Sequence, residues 1–304
     1  MTKINLQMFA DGDNTNQTAR SFSLQFKELL AAVFQKQAYF GAFFGNTIEA
    51  IDGVQDNENA FYVKTSDMPV VLGEYSKDAN TAMGTGTGKS SRFGERKEVI
   101  YKNTPVPYTW GYSFHEGLDR HTVNNDLAAA VADRLDVQAQ AKIEKFNKQH
   151  GKFISSVAGK TIAGGAKITK DNVADVFNEL SAYFVNIGAK GTLRASVNPD
   201  VYNAIMDNGL FTTAKRADVD ISNGVVMKFK GFIIEEIPAP LFQAKEVIYA
   251  YVEGVGKAFT GIETARTIES EDFDGVALQG AGRAGEFILN DNKKAVAKVT
   301  VTGA

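Results

Sequence analysis

The sequence has no cysteine and, among its 304 residues, only six prolines and one tryptophan. Without cysteine there is no disulfide, no thiolate zinc site and no cysteine nucleophile, which suits a reducing compartment. An excess of positive charge is also missing, since the formal net charge is -3 and the isoelectric point about 5.8. Proteins that bind nucleic acid tightly neutralise many phosphates with basic residues. We therefore expect any nearby DNA to be contacted weakly and without sequence specificity.

Long apolar runs are absent as well. No stretch reaches the roughly 20 apolar residues that a membrane-spanning helix needs. The N-terminus also lacks a basic region followed by a long apolar core, so we expect a soluble cytoplasmic protein with no membrane partner. What the chain does have is 44% hydrophobic residues, with 21 Phe and 28 Gly. This combination predicts strands and turns with large aromatic contact surfaces.

Helical and strand patterns are interspersed along the chain, which indicates an α+β fold. Apolar residues recur at helical spacing from Phe22 to Phe34 and again from Leu127 to Phe146. The first stripe predicts a helix of about four turns that begins at Ser21 and ends near Gly41 or Gly45. The second stripe has acidic residues early and lysines late, and it predicts one long helix over residues 122–150, closed by Gly151. His150 would then lie at the helix end, where a partial positive charge suits the helix dipole.

The second half of the chain is predicted to contain two more helices and several strands. The helices are expected at residues 173–184 and 201–206, the latter with Pro199 in its first turn. Residues 207–224 are predicted to be a loop. The strands are expected at residues 193–197, 225–237, 247–252 and 258–268, followed by a closing pair formed by residues 285–289 and 295–301.

Residues 64–104 show no helical period. The strand-like runs Ala60–Val63 and Glu98–Lys102 lie on either side of a glycine-rich stretch, Thr81–Gly88. This pattern predicts a long two-stranded excursion. An isolated hairpin is marginally stable in water, and so long a loop in a compact domain usually serves a function. We therefore expect another molecule to supply its stabilising surface.

The same excursion carries a local excess of basic residues, Lys89, Arg92, Arg96, Lys97 and Lys102, which Glu95 and Glu98 reduce. One interpretation is a solvated hairpin face. The other is a surface that docks onto an acidic patch of a neighbouring subunit. The spacing alone favours neither.

Three motifs imitate catalytic or metal sites and fail in detail. Met83–Ser90 looks like a phosphate-binding loop, but Met83 stands where the first glycine is needed. In His115–Asp119, an aspartate replaces the second histidine of a zinc-protease helix. The acidic cluster Glu269–Asp274 lacks the ligand order of a calcium loop. We predict no catalytic residue, cofactor or metal, and hence no enzyme; a P-loop nucleotidase is kept as a remote alternative.

The start of the chain, Asn5-Leu6-Gln7-Met8-Phe9-Ala10, resembles the Asn-Leu-Gln-x-Phe-Ala start often met in head proteins of phages of Gram-positive bacteria. The order of elements is similar to the Hong Kong 97 (HK97) capsid fold. The resemblance implies a major capsid protein of a tailed bacteriophage, which assembles into hexamers and pentamers of an icosahedral head around double-stranded DNA. Phe9 joins the five basic residues as a candidate subunit-interface residue.

The resemblance also implies a division of the chain. The expected parts are an N-terminal arm at 1–20, an N-terminal helix and entry to the peripheral domain at 21–54, an extended loop at 55–105, a peripheral domain at 106–164 with spine helix 122–150, an axial domain at 165–255, and returning peripheral strands at 256–304.

The expected partners are identical subunits, a portal and a scaffolding protein. The scaffolding protein is expected to be separate, because this sequence has no counterpart of the scaffolding region with which some relatives begin. We expect the protein in the virion capsid, assembled in the cytoplasm of the host bacterium. Two alternatives stay open: the shell of an encapsulin-type nanocompartment, and another phage structural protein of the tail or head. Some relatives cross-link a loop lysine to an asparagine, and Lys89, Lys97 and Lys102 leave that question open.

Overall fold

The computed structural model describes residues 37–50, 58–66, 72–77, 92–93, 98–123, 126–208, 217–220 and 225–303. The predicted arm at 1–20 and most of the predicted helix that begins at Ser21 lie outside these residues. The predicted end of that helix near Gly41 or Gly45 is wrong, because residues 37–40 are not helical and Gly41–Phe44 form a short 3-10 helix after Phe40, whose φ is 64°. The described chain mixes helices with three sheets, so the predicted α+β class is confirmed. Within it, no helix has the length and apolar character needed to cross a bilayer.

The largest of the three sheets has seven strands. It is built from β5 (Lys160–Ala163), β6 (Leu193–Val197), β7 (Ala217–Asp220), β8 (Val225–Phe229), β9 (Phe232–Glu236), β10 (Glu246–Val252) and β13 (Val296–Thr300), in the spatial order β5-β13-β10-β6-β9-β8-β7. Helices α2 (Val173–Asn186) and α3 (Pro199–Met206) share a core with it. Phe177, Leu180 and Phe184 of α2 are completely or almost completely buried there.

A four-stranded sheet forms the second part, in the order β1-β11-β12-β4. Its strands are β1 (Ile48–Ala50), β4 (Trp110–Asp119), β11 (Lys257–Glu269) and β12 (Gly275–Phe287). The two remaining strands, β2 (Asn59–Ser66) and β3 (Tyr101–Pro107), pair with each other as a separate antiparallel ribbon.

Aromatic rings in the four-stranded sheet lie over glycines of the neighbouring strand. Phe114 of β4 pairs with Gly280 of β12, where an added Cβ would come within 2.1 Å of the ring. Phe259 of β11 covers its partner Gly285 in the same way, at 2.6 Å. A glycine leaves a strand without a side chain to pack, and a cross-strand ring fills that gap. This packing device accounts for some of the Phe and Gly residues of the chain.

Helix α1 (Leu127–Val157) connects the two sheets. Only its C-terminal third is buried, through Phe146, Ile154 and Val157. This third packs in a core with Phe40 and Phe43 from the segment before β1. Burial of aromatic and aliphatic side chains here, at about 1.5–3 kcal/mol each, holds the helix against both sheets.

The predicted long helix is confirmed, but its predicted end is wrong. The helix begins at Leu127, where the Asp126 side chain accepts a hydrogen bond from the Ala129 amide, and it continues past Gly151 to Val157. At Gly151 the backbone of Leu241 approaches α1 closely: a Cβ on residue 151 would lie 2.3 Å from the carbonyl oxygen of Leu241. A glycine near a predicted helix end was interpreted as a stop, whereas its role is packing.

Two strand predictions in the second half are also wrong. Residues 225–237 form a hairpin, β8 and β9, because Lys230 and Gly231 have positive φ angles of 50° and 94° and turn the chain. Residues 285–289 and 295–301 do not pair: β12 belongs to the four-stranded sheet and β13 to the seven-stranded one. In the predicted loop 207–224, residues 217–220 form a strand.

The other predicted elements are confirmed within a few residues. These are helices α2 and α3 and strands β6, β10 and β11. The Asn198 side chain accepts a hydrogen bond from the Val201 amide and caps α3, with Pro199 in the first turn. Of the predicted strand Glu98–Lys102, only the last two residues belong to β3.

The contact at Gly151 gives the first prediction. Replacing Gly151 with Ala should lower the free energy of unfolding by about 1–3 kcal/mol, because the methyl group collides with the Leu241 carbonyl. At an exposed helix position the same change would raise stability by about 0.5–1 kcal/mol. Urea unfolding followed by circular dichroism measures the sign. Lys152→Ala, at the exposed neighbouring residue, is the control, and a stabilised G151A variant would contradict the packing role.

Candidate subunit interface

The ribbon of β2 and β3 is anchored to the rest of the subunit only at one end. Ala60 and Val106 are buried there against Phe259 of β11, and the Phe61 ring packs edge-on against Phe259 at 5.2 Å. Beyond this anchor, every described residue of β3 before Val106 is exposed. The ribbon therefore leaves the subunit with little of its own surface covered.

Apolar side chains on this excursion face solvent in the single subunit. Leu72 is 91% exposed and Phe93 84% exposed. Five more large apolar or aromatic residues of the ribbon and of the chain between its two strands are at least half exposed: Tyr62, Tyr75, Val99, Ile100 and Tyr101. A concentration of this kind on a single subunit marks a contact surface for another molecule.

The two sides of the excursion are joined near its outer part. The Ser76 amide donates to the Arg92 carbonyl at 3.0 Å, and the Arg92 guanidinium donates to the Ser76 carbonyl at 3.3 Å. The rings of Tyr75 and Phe93 meet edge to face at 5.2 Å. These contacts hold together two separate stretches of the sequence. We call the Tyr75–Phe93 pair and its neighbours Ser76 and Arg92 the aromatic tip.

Two of the six predicted interface residues fall within the described chain. Arg92 lies at the aromatic tip, and Lys102 lies on β3 opposite Thr65. Phe9, Lys89, Arg96 and Lys97 lie outside the described residues, as does the glycine-rich stretch with its loop-like motif. Around Arg92 and Lys102, exposed apolar side chains distinguish the surface more clearly than positive charge does.

The N-terminal two thirds of α1 form a second incompletely covered surface. No residue from Leu127 to Lys145 is buried, and Leu135 is 44% exposed. The helix touches β4 through polar contacts: Arg134 donates two hydrogen bonds of 2.6 Å to Glu116, and Gln138 donates a third. The hydrogen bonds from Arg134 lower the pKa of the Glu116 carboxyl below its usual value. The N-terminal two thirds of the helix are therefore positioned by polar contacts rather than by burial.

A buried carboxylate, Glu286, fixes the C-terminal third of α1 to the four-stranded sheet. The Trp110 indole donates to it at 3.0 Å, the Thr109 hydroxyl at 3.3 Å, and His150 Nδ1 lies 3.1 Å from Glu286 Oε1. His150 is only 5% exposed. The prediction that His150 interacts with a helix end is therefore wrong: it sits inside the helix and pairs with a carboxylate.

A second buried carboxylate, Glu246, fixes α1 to the seven-stranded sheet. It accepts hydrogen bonds from Lys298, Ser155 and Tyr249 at 2.7, 2.8 and 2.6 Å. Burial raises the pKa of the Tyr249 hydroxyl far above its usual value, so this group stays a donor. Together the two carboxylates hold one helix between two sheets.

The other two histidines and Asp274 of the acidic cluster have structural partners. His115 is exposed on strand β4, with its Nε2 atom 3.0 Å from Gln279 Nε2, and the His115–Asp119 motif is not helical. In the acidic turn after β11, Asp274 pairs with Arg120 at 3.1 Å and lies 3.6 Å from His121. Within the described ranges, no three His, Cys, Asp or Glu side chains gather as metal ligands would.

The similarity of this chain to known proteins lies in its fold. No family model and no curated protein matches the sequence. Solved structures do match, among them "Capsid structure of the Cyanophage P-SCSP1u", with a TM-score of 0.64 and 10% identity over 89% of this chain and 90% of that chain; "Asymmetric unit of bacteriophage PhiM1 mature capsid", at 0.63 and 12% over 89% of each; and "Mycobacterium phage Che8", at 0.60 and 13% over 80% and 85%.

The chain has an HK97-type capsid fold. The predicted fold is therefore confirmed, and at these identities the likeness concerns the fold alone.

Sequence reasoning found the extended excursion of this HK97-type fold but missed the residues that fix α1. Glu286 and Glu246 stand in strand-like runs without a motif, and, apart from Tyr249 in the same strand as Glu246, their partners are more than fifty positions away. The one available signal was a carboxylate inside an otherwise apolar strand, as in Glu246-Val-Ile-Tyr-Ala-Tyr-Val252. Such a residue needs a buried partner.

Removing the Glu286 carboxylate tests its role within the HK97-type fold. Glu286→Ala leaves Trp110 and Thr109 without their acceptor, so the free energy of unfolding should fall by about 3 kcal/mol. Glu144→Ala removes an exposed ion pair with Lys148 on the same helix and should cost at most about 0.5 kcal/mol. Urea titration of both variants compares them. Equal losses would show that the buried carboxylate is not a special anchor.

Proposed function

We propose that this protein is the major capsid protein of a tailed bacteriophage, and that identical copies form the hexamers and pentamers of an icosahedral head around double-stranded DNA. One observation carries the proposal: the β2–β3 excursion presents large apolar side chains that its own subunit leaves exposed. The HK97-type fold and the comparison with phage capsid structures support it.

The energetic argument for assembly rests on apolar area. Covering the exposed parts of Leu72, Phe93 and Tyr101 against another copy contributes about 25 cal/mol for each Å² removed from water. One such contact is modest because association costs translational and rotational freedom. In a closed shell every subunit both gives and receives the contact, so many weak contacts hold the assembly.

We assign the parts of the chain by analogy with the HK97-type fold. The proposed division is the one expected from the sequence: arm 1–20, N-terminal helix and peripheral entry 21–54, extended loop 55–105, peripheral domain 106–164 with the spine helix, axial domain 165–255 and returning strands 256–304. The observed sheets suggest one refinement, because β13 pairs with β10 and β5 and so extends the sheet of the axial part.

The proposed partners follow from the same function. They are identical subunits, a separate scaffolding protein and a portal, with packaged DNA contacted weakly. The net charge of -3 supports a lining that lets DNA slide without sticking. The proposed site of action is the virion capsid, after assembly in the cytoplasm of the host bacterium, and the proposed role is structural rather than enzymatic.

Co-expression in bacteria with the scaffolding protein of the same phage tests the assignment. Negative-stain electron microscopy should then reveal closed shells of uniform size. Persistent monomers without capsomers would refute the proposal. Shells that enclose protein cargo in place of DNA would favour a nanocompartment, and tubes would favour a tail protein. ATP turnover that is lost in Lys89→Ala would instead support the nucleotidase alternative.

Deleting residues 75–97 tests the excursion directly. The deleted stretch lies beyond the anchor at Ala60 and Val106, so the subunit should keep its thermal unfolding midpoint. Shell formation should be lost because the outer part of the excursion, with the exposed side chains of Tyr75 and Phe93, is gone. Sedimentation and microscopy compare the deletion with the full chain. A deletion variant that still forms normal shells would refute the role of the excursion.

A single substitution makes the same test without shortening the chain. Phe93→Ser should change the free energy of unfolding by no more than about 0.5 kcal/mol, because the ring is 84% exposed. The critical concentration for assembly should rise at least about tenfold, which is equivalent to about 1.4 kcal/mol per contact.

Val185→Ser is the matched control, since Val185 is 73% exposed on α2, outside the excursion. It should leave the critical concentration near that of the unchanged protein. Equal effects of the two substitutions would mean that assembly responds to surface hydrophobicity in general and not to the aromatic tip.

A further inference from the structure

An apolar groove of about 510 Å³ lies between α1 and the segment before β1. Tyr39, Phe44, Ile48, Ile143 and Phe146 contribute its apolar lining. Ile48 is 51% exposed at one edge. A groove of this kind on a single subunit needs an apolar occupant.

An apolar stripe on α1 continues from this groove toward the start of the helix. Ile143 is followed by Ala139, Leu135, Ala132 and Ala128, at spacings of four and three residues that place them on one side of the helix. The last four are exposed. Small residues at this spacing allow a second helix to approach closely, with its large side chains inserted between them.

The chain enters the groove at a fixed point. The Tyr39 amide donates to Asn147 Oδ1 at 2.9 Å, and Asn147 Nδ2 donates to the Gln37 carbonyl at 2.8 Å. Asn147 is 4% exposed and lies one helical turn beyond Ile143. The backbone at residue 37 is therefore held at the end of the groove, and the preceding residues start from there.

The preceding sequence has the complementary pattern. Phe22, Phe26, Leu29 and Val33 recur at spacings of four and three residues, and Phe22 and Leu29 are large where Ala132 and Ala139 of the stripe on α1 are small. The two stripes cover equal lengths of helix, since Phe22 to Val33 and Ala132 to Ile143 contain the same number of residues. Val33 is four residues before Gln37, just as Ile143 is four before Asn147.

We propose that residues 22–33 form an amphipathic helix that packs in this groove, parallel to α1 of the same chain. Val33 then lies beside Ile143, Phe26 beside Leu135, and Phe22 beside Ala132. The connection from Val33 to Gln37 reaches at most about 14 Å, which keeps the segment at the groove of its own subunit. The proposal does not rest on capsid assembly.

Disulfide trapping tests this docking, and the absence of native cysteine makes every engineered pair the only pair of thiols. The test variant combines Phe26→Cys with Leu135→Cys. A disulfide requires Cα atoms about 4.4–6.8 Å apart, which the proposed contact provides. The control combines Phe26→Cys with Val137→Cys. Val137 is 42% exposed, close to the 44% of Leu135, but points about 200° away around the helix.

Oxidation of the full chain should produce an intrachain disulfide in the test pair at least about ten times faster than in the control. Non-reducing electrophoresis detects it as a monomer with altered mobility. A dimer band in the test pair would mean that the segment of another copy fills the groove, and it would overturn the proposal. Equal rates in the two pairs, or no disulfide in the test pair, would overturn it as well.

A second measurement leaves residues 22–33 unchanged, so it is independent of any effect of the Phe26 substitution. In single variants, the Leu135→Cys thiol should react with a small maleimide at least about ten times more slowly than the Val137→Cys thiol, because the docked segment covers it. Equal reactivity of the two thiols would refute the docked helix.

Discussion

Two buried carboxylates hold the C-terminal third of α1 between the sheets, and the direction of the exposed N-terminal part of the helix follows from this arrangement. Glu286 binds the helix to the four-stranded sheet through His150, and Glu246 binds it to the seven-stranded sheet through Ser155. Removing one partner of a buried polar group is costly because the other remains desolvated. The orientation of the helix is thus specified by hydrogen bonds as well as by packing, since a purely apolar contact is non-directional.

The subunit has a complete hydrophobic core, and the ribbon extends from this core, which buries only its base. The ring of Phe259 is the junction: it covers Gly285 within the sheet and also packs against Phe61 at the base of the ribbon. Since the base is buried, the exposed part leaves the subunit in a defined direction. A surface that is already ordered before contact loses less entropy on association. This arrangement suits repeated association of identical copies.

Much of the fold follows from local signals in the sequence, and the exceptions have a common physical cause. Helix α3 was predictable because Asn198 and Pro199 act within one turn. Gly151 was misinterpreted because the atom that requires a glycine, the Leu241 carbonyl, is ninety residues away. Strand β12 was missed over Gly275–Ala284 because its packing is supplied by rings such as Phe114 on the neighbouring strand. The excursion was predictable from its lack of period, but the exposure of Phe93 was not, since an aromatic residue in a strand-like run also suits a core.

The parallel pairing of β1 with β11 has a consequence for how the chain is made. Ile48 pairs with Ala258, so a strand near the beginning waits for a partner that is synthesised roughly two hundred residues later. Contacts of such high sequence separation slow folding, because the loop between them must close before they form. At about 5–20 residues per second, translation leaves the early strand and the adhesive ribbon after it unpartnered for many seconds on the ribosome. During that interval the exposed apolar side chains of the ribbon favour premature association between nascent chains.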